Sequence, residues 1–252
     1  MITEKTIASV FSEFWSEALP LLTPSFVRIF NEAYCEHLAD IPLSKFANIE
    51  ISNKVEKHDL VAEFAFCAAE TVHNSGITMT ELVDDKKLFY DTYRRAVMFL
   101  KRYQSDDYII ALNKHEITET LKIAEQYDHF FKYLKLTNNQ IIFRPQLKGS
   151  GFLGSCTADL SADDTLYEIK TVTRNISGKD IRQILIYLLL QSSNDEKMWT
   201  HAGFFNPRKA EYYRFSVDHL IYKTSGGRSK SEVFDMLTNF LGERGVEVDT
   251  VF

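Results

Sequence analysis

Cysteine is scarce in this 252-residue sequence. The three cysteines, Cys35, Cys67 and Cys156, are widely spaced, and none belongs to a C-x2-C pair. An odd number at this spacing argues against a disulfide framework and against a zinc site. Cys156 precedes Asp159 by three residues, but no histidine is close in sequence. We therefore expect Cys156 to be a small strand residue rather than a nucleophile.

Long hydrophobic runs are also missing. The longest, from Ile184 to Leu190, is far too short for a bilayer, which requires about 20 apolar residues. The N-terminus has no charged region followed by an apolar signal core. We therefore expect no membrane association and a cytoplasmic location. The P-loop pattern G-x4-G-K-[ST] is absent as well, which argues against that type of phosphate-binding loop.

Positive charge is not in excess, because 29 Lys and Arg are opposed by 35 Asp and Glu, giving a net charge of −6. This balance excludes a general nucleic-acid coat protein. It does not exclude a nuclease, which needs only a local basic patch. The residues that suggest such a patch are Lys170, Arg174, Lys179, Arg182, Arg208, Lys209 and Arg214. The alternative interpretation is that they are the solvated charges usual at the start of a helix.

The composition is that of a folded protein, with 45% hydrophobic and 25% charged residues, and the length suits one or two domains. Apolar periodicity predicts helices over 7–22, 26–38, 59–73, from Thr80 or Asp84 to Tyr103, and over 116–134. Strands are predicted over 141–143, 202–205 and 211–217, followed by a helix over 231–241. We expect a helical N-terminal region at 1–135 and an α/β domain at 136–252.

The α/β part contains a stretch that combines reactive side chains with a predictable geometry. Residues 166–172 (L-Y-E-I-K-T-V) have the composition of a strand, so Glu168 and Lys170 point to the same side. The turn formers S-A-D-D-T separate this strand from a short apolar segment that ends at Asp159. We predict a hairpin with Asp159 on one strand and Glu168 on its neighbour.

Two carboxylates that converge in this way make a hard oxygen site, suited to Mg²⁺ with several waters retained. The carbonyl of Ile169 could add a ligand between Asp159 and Glu168. Lys170 would lie beside the metal as a compact cation. It could orient or deprotonate the attacking water, or stabilise charge in the transition state. We expect Mg²⁺ as the cofactor, with Mn²⁺ able to substitute.

The next element is predicted to be a helix over 180–190. Gln183 and Tyr187 are four residues apart and share one face of it. Packed over the sheet, they could hydrogen-bond the metal-bound water, Lys170 or a phosphate oxygen. The alternative makes Tyr187 a core residue with one hydrogen bond.

Together, D-x8-E-x-K and Q-x3-Y resemble the motifs of the PD-(D/E)XK nuclease superfamily, in the RecB-type branch that carries a Q-x3-Y helix. The resemblance extends from about Ile141 to about Phe215. It includes G-S-C-T-A-D-L-S-A-D-D-T-L-Y-E-I-K-T, which is similar to runs in uncharacterised bacterial members. The chain departs from the family in having no proline before Asp159 and no recognisable upstream histidine motif.

This resemblance implies both a fold and a set of roles. The fold is a restriction-endonuclease-like core: a helix, three antiparallel strands, a helix and a further strand, which give a mixed central sheet flanked by helices. Asp159 and Glu168 are implied as metal ligands, Lys170 as the catalytic lysine, and Gln183 and Tyr187 as the supporting pair.

The upstream helix over 116–134 would take the place of the first core helix, which supplies another acidic ligand in several members. Glu119 and Glu125 are the candidates. The implied activity is hydrolysis of phosphodiester bonds in DNA, within a bacterial defence or repair system. The alternatives are the same chemistry on RNA, or a catalytically silent nucleic-acid-binding or interaction subunit. A larger protein partner or a homodimer is plausible.

Overall fold

The computed structural model of the protein describes residues 3–38, 48–101, 111–137, 140–151, 153–192 and 199–249. The helices in these ranges are α1 (Glu4–Val10), α2 (Ser12–Ala18), α3 (Pro24–Tyr34), α4 (His58–Ser75), α5 (Met79–Asp84), α6 (Lys86–Lys101), α7 (Lys114–Thr137), α8 (Gly178–Ser192), α9 (Val217–Ser225) and α10 (Lys230–Asp249). The strands are β1 (Cys35–His37), β2 (Ile141–Phe143), β3 (Gln146–Leu147), β4 (Cys156–Thr157), β5 (Leu160–Ala162), β6 (Thr165–Ile169), β7 (His201–Asn206) and β8 (Glu211–Ser216).

Six of these strands form one mixed sheet in the order β1-β8-β7-β6-β5-β2, and β3 pairs with β4 separately. Neighbouring strands of the large sheet run antiparallel except for β6 and β7, which are parallel. Parallel neighbours need a crossover connection, and α8 lies in the one between β6 and β7. The predicted mixed sheet with flanking helices is confirmed at this level.

Hydrophobic clusters cover both faces of the sheet. Along β7, Phe204 belongs to the cluster formed with α1, α2, α3 and α8 to α10, whereas Phe205 belongs to the cluster formed with α4, α5 and α7. This alternation is the period of two expected for a strand buried on both sides. Residues of the sheet that point to the α8 side are therefore held between the sheet and a helical layer.

The N-terminal part of the chain contributes to the same core. The predicted helix over 26–38 is wrong at its end, because the helix stops at Tyr34 and Cys35–His37 pair with β8. The predicted helix over 7–22 is interrupted at Phe11. Ile7 and Trp15 from this part are buried in one cluster with α8 residues. The domain division at residue 135 stays a prediction.

The helices predicted over 59–73 and 116–134 are present as α4 and α7 with ends shifted by one to three residues, and the helix predicted over 231–241 continues to Asp249. Gly76 ends α4 in a left-handed conformation with φ of 66°, as expected for a glycine helix stop. The predicted helix from Thr80 or Asp84 is two helices that meet at Asp85, and residues 102–103 of it lie outside the described residues. No helix in the described ranges is long and apolar enough to span a membrane.

Gly203 shows why β7 needs a residue without a side chain at one position. A Cβ built there would lie 2.3 Å from the carbonyl oxygen of Tyr213 and 2.4 Å from the ring of Tyr167. Such distances are far below van der Waals contact. The absence of a side chain therefore lets the Tyr167 ring cover the β7 backbone.

Candidate active site

The predicted hairpin is present. β5 and β6 pair with Leu160 opposite Tyr167, and Asp163 takes a positive φ of 46° in the turn between them. The same register places Asp159, one residue before β5, opposite Glu168. The predicted strand over 166–172 is wrong at its end, because β6 ends at Ile169 and Lys170 lies just beyond it. The two carboxylates thus come together through a local antiparallel pairing.

A backbone donor fixes the Asp159 carboxylate. The amide of Ile169 donates to Asp159 Oδ2 at 2.7 Å. The sequence prediction gave Ile169 a role through its carbonyl, and the structure adds its N–H as the group that orients the neighbouring carboxylate. A bond of this kind stabilises the ionised form.

A line of hydrogen bonds connects the strand to α8. Lys170 Nζ donates to Glu168 Oε1 and to Gln183 Oε1, both at 2.8 Å. Gln183 Nε2 donates to the Tyr187 hydroxyl at 2.9 Å, and that hydroxyl lies 3.4 Å from Glu4 Oε1. The predicted contact of Gln183 with Lys170 is present, whereas Tyr187 bonds to Gln183 rather than to Lys170. Their catalytic role stays a prediction.

Burial gives these groups unusual electrostatics. The Glu168 and Lys170 side chains are only 6% and 13% exposed. Burial raises the pKa of Glu168, and the neighbouring Asp159 raises it further. Burial also raises the pKa of Asp159, against the lowering effect of the Ile169 amide. Two carboxylates in one dry site therefore resist ionisation unless positive charge is near.

The environment of Lys170 favours the charged form of its side chain. Burial alone would lower the pKa of Lys170, but the charges of Glu168, Asp180 and Asp159 outweigh it, and the net shift is upward. Lys170 is therefore an ammonium at neutral pH. It balances part of the negative charge of the carboxylate pair.

Asp180 is a buried member of the site that the sequence prediction did not assign. Its Oδ1 lies 3.5 Å from Lys170 Nζ, and both of its oxygens accept bonds from Arg174. Ser177 donates to it through its amide at 2.8 Å and through its hydroxyl at 2.7 Å. Burial would raise the pKa of Asp180, but these partners lower it to about 2. The capping pattern S-x-x-D at the start of α8 was the available signal.

The opposite wall of the cleft comes from α4, the end of α6 and the residue after β2. Arg144 pairs with Glu63 and lies over the rings of Phe66 and Phe99, with 4.7 and 4.0 Å from its guanidinium carbon to the ring centroids. The cleft has a volume of about 860 Å³ and is lined by the six predicted site residues together with these groups. Lys5 of α1 also contributes to its rim.

The helix acids proposed from the sequence are elsewhere. Glu119 is buried in an ion pair with Arg208, at 2.7 Å, and with Glu125 it lines a different pocket of about 630 Å³. Neither is among the described residues that line the carboxylate cleft. The helix acids that do line it are Asp59 and Glu63 of α4 and Glu4 of α1.

The basic patch predicted from spacing is largely paired with acids. Arg208 is only 2% exposed, and the spacing argument could not detect its burial. The ion pairs that involve the patch residues are Lys170–Glu168, Arg174–Asp180, Arg208–Glu119, Lys209–Glu211 and Arg214–Asp164. Neighbouring acids therefore neutralise part of the charge of the patch, and its role in binding phosphate stays a prediction.

Comparisons with protein-family models, with curated proteins and with solved structures found no match to this chain. The resemblance to the nuclease superfamily therefore rests on the motif residues and on the geometry that brings them together.

Proposed function

We propose that this protein is a metal-dependent nuclease with a PD-(D/E)XK-like core, which hydrolyses phosphodiester bonds in DNA. The observation that carries the proposal is the juxtaposition of Asp159, Glu168 and Lys170 in one cleft, with a buried Glu168 oxygen that has no hydrogen-bond partner within the described ranges. The DNA substrate and the setting in bacterial defence or repair follow from the resemblance alone.

The order and pairing of the elements support the family assignment. The resemblance implies a helix, three antiparallel strands, a helix and a further strand. In this chain α7 is followed by the antiparallel set β2-β5-β6, then by α8, and then by β7 parallel to β6. The small pair β3–β4 is inserted between β2 and β5.

The carboxylate pair fits a divalent cation. Glu168 Oε2 is buried and has no hydrogen-bond partner among the described residues, which is costly for a polar atom unless something else binds it. Asp159, Glu168 and the carbonyl of Ile169 offer only oxygen ligands, the donor type that Mg²⁺ prefers. When bound there, Mg²⁺ would polarise the scissile phosphate and lower the pKa of a coordinated water.

Lys170 enters the reaction as a cation. The charges of Glu168, Asp180 and Asp159 raise the pKa of Lys170, which favours its ammonium form. The ammonium has three donors, and the two shortest contacts to protein acceptors involve Glu168 and Gln183. The third donor can reach a phosphate oxygen and stabilise the negative charge that develops on it.

Gln183 and Tyr187 hold this lysine in place. Because a lysine only donates, the amide oxygen of Gln183 must face Lys170, and the amide nitrogen then donates to Tyr187. Both side chains are buried, so the orientation of the lysine is set before substrate binds. This preorganisation supports an active enzyme over a catalytically silent subunit.

The direct test is an assay of purified protein on supercoiled plasmid, linear duplex DNA, single-stranded DNA and RNA. Each substrate is incubated with Mg²⁺, with Mn²⁺ or with a chelator. We expect cleavage of DNA with either metal and none with the chelator. Cleavage of RNA alone would support the alternative substrate.

Matched variants show whether any observed cleavage comes from this protein or from a contaminating nuclease. Glu168→Gln should remove cleavage, whereas Glu13→Gln, an exposed position on α2, should leave it unchanged. A lack of cleavage by wild type on all four substrates, or full activity in Glu168→Gln, would overturn the proposal.

A further inference from the structure

A second cluster of potential metal ligands lies on strands β1 and β8, at the edge of the sheet. Cys35 and His37 are two residues apart on β1 and therefore point to the same face. Their partners on β8 are Tyr213 opposite Cys35 and Glu211 opposite His37. Strand alternation alone thus places Cys35, His37 and Glu211 side by side.

The ligand atoms of these three residues are close enough to share one ion. The Cys35 sulfur, a His37 ring nitrogen and a Glu211 carboxylate oxygen all lie within 4.8 Å of one another. Four-coordinate zinc has ligand distances of about 2.0 to 2.3 Å, so only small side-chain movements would close the site. Glu211 is buried, Cys35 is half-buried and His37 is exposed, which leaves an entry path from solvent.

The donor set differs in kind from that of the Asp159 cleft. One sulfur, one nitrogen and one oxygen form a borderline-soft set that suits Zn²⁺ and disfavours Mg²⁺. Neighbouring groups can support the ligands. The Tyr213 hydroxyl is within hydrogen-bond reach of the Cys35 thiol, and Lys209 Nζ holds Glu211 Oε2 at 2.8 Å.

We propose that Cys35, His37 and Glu211 bind a zinc ion that fastens β1 to β8, with water as the fourth ligand. β1 has only three residues, so its pairing is one of the smaller contributions to the sheet. A shared ion would link the N-terminal part of the chain to the sheet. β8 and β7 separate β1 from β6, so this site and the Glu168 cleft are independent.

Cobalt provides a spectroscopic test because a cobalt–thiolate bond gives charge-transfer absorption that carboxylate ligands cannot give. Protein stripped of metal with a chelator is titrated with Co²⁺ and then with Zn²⁺. We expect one equivalent of thiolate-bound Co²⁺, displaced by Zn²⁺. The bands should be lost in Cys35→Ser and retained in Cys156→Ser, which changes another half-buried thiol.

His37→Asn provides a second variant at an exposed position, where no folding defect is expected. It should weaken Zn²⁺ binding by more than about 100-fold, because even the outer partners of metal ligands contribute about 10- to 100-fold. Zn²⁺ should raise the Tm of wild type and not that of this variant.

The Glu168→Gln variant should keep the thiolate bands, so failure of this site and failure of the nuclease proposal can be told apart. Cobalt spectra without thiolate bands in wild type, or bands that persist in Cys35→Ser, would overturn the zinc site.

Discussion

Lys170 contacts more of the candidate site's polar residues than strand alternation alone predicts. Its ammonium contacts Glu168 and Gln183 at 2.8 Å and Asp180 at 3.5 Å. Strand alternation predicted the first neighbour and helix periodicity the second. Asp180 was not predicted as a site residue, because its approach to Lys170 depends on how the start of α8 packs against the end of β6.

Replacing Lys170 separates its role from metal binding. Lys170→Ala should retain Mn²⁺ binding through Asp159 and Glu168 but lower the cleavage rate on the order of 10²-fold or more, because a positioned cation is lost. Calorimetric titration with Mn²⁺ and single-turnover kinetics measure the two effects. Lys87→Ala, on an exposed position, is the control. An unchanged rate at saturating metal, with the metal site itself weakened, would contradict the assignment.

The Tyr187 hydroxyl is expected to matter more for rate than for folding. Its ring is buried, so Tyr187→Phe keeps the packing and should change the free energy of unfolding by only about 1 kcal/mol. The same change removes the hydroxyl that accepts the hydrogen bond from Gln183 Nε2. Gln183 is then held less firmly against Lys170, and cleavage should slow. Tyr167→Phe alters a buried tyrosine in the cluster on the other face of the sheet and serves as control. Unchanged cleavage in Tyr187→Phe would reduce Tyr187 to a core residue.

At the scale of elements, the β5–β6 hairpin and the parallel strand β7 together create the site. The hairpin was predictable, because the turn formers between Asp159 and Glu168 indicate a reversal of the chain. Its turn is shorter than predicted, because Ser161 and Ala162 belong to β5 and Thr165 belongs to β6. The interruption of the first predicted helix at Phe11 was not predictable, because the spacing of apolar residues continues through this position. The α4 wall with Glu63 also depends on long-range packing that no local pattern records.

Gly203 tests the packing of β7 against its neighbours. Gly203→Ala should destabilise the protein by about 1 to 3 kcal/mol, the usual range for overpacking, because the added Cβ would overlap the Tyr213 carbonyl and the Tyr167 ring. Gly242→Ala is the matched control, since a Cβ there has nothing within 4 Å. Chemical denaturation measures both. A stability equal to that of the control would show that β7 has room to shift.

Asp164 in the hairpin turn gives a prediction about pH. Burial would raise its pKa, but hydrogen bonds from Thr165 and Arg214 lower it to about 2. A depressed carboxyl pKa stabilises the fold above the unfolded value near 3.8 and loses that effect as the pH falls toward 2. The stability difference between wild type and Asp164→Asn should thus be present at neutral pH and shrink as the pH falls below about 4.

The expected size of that difference is less than about 1 kcal/mol, because the Asp164 side chain is 41% exposed and solvent screens its ion pair. Free energies of unfolding at several pH values provide the measurement. If the stability difference between wild type and Asp164→Asn grows as the pH falls below about 4, the assigned direction of the Asp164 pKa shift is wrong.

At the scale of the whole molecule, the sequence predicted a mixed sheet with flanking helices but not how the N-terminal part joins it. β1 was not predicted, because Cys35–His37 directly follow an apolar pattern that indicates a helix. A three-residue edge strand also has little local signal, because it depends on pairing with β8. The same pairing brings Cys35 and His37 to Glu211, which is distant in sequence. Neighbouring residues in the chain could not indicate that cluster.

The central claim, that the Asp159–Glu168 pair holds the ion needed for cleavage, is tested most directly by Asp159→Asn. Asparagine can still accept the bond from the Ile169 amide through its side-chain oxygen, so the hairpin should remain folded. Removing one charge from the pair also relieves repulsion, so the Tm measured without metal should not fall.

The measurement is the single-turnover rate of DNA cleavage in Mg²⁺, with Tm recorded on the same samples without metal. We predict that Asp159→Asn abolishes metal-dependent cleavage at an unchanged or raised Tm. A rate near that of wild type, in a variant that folds normally, would contradict it.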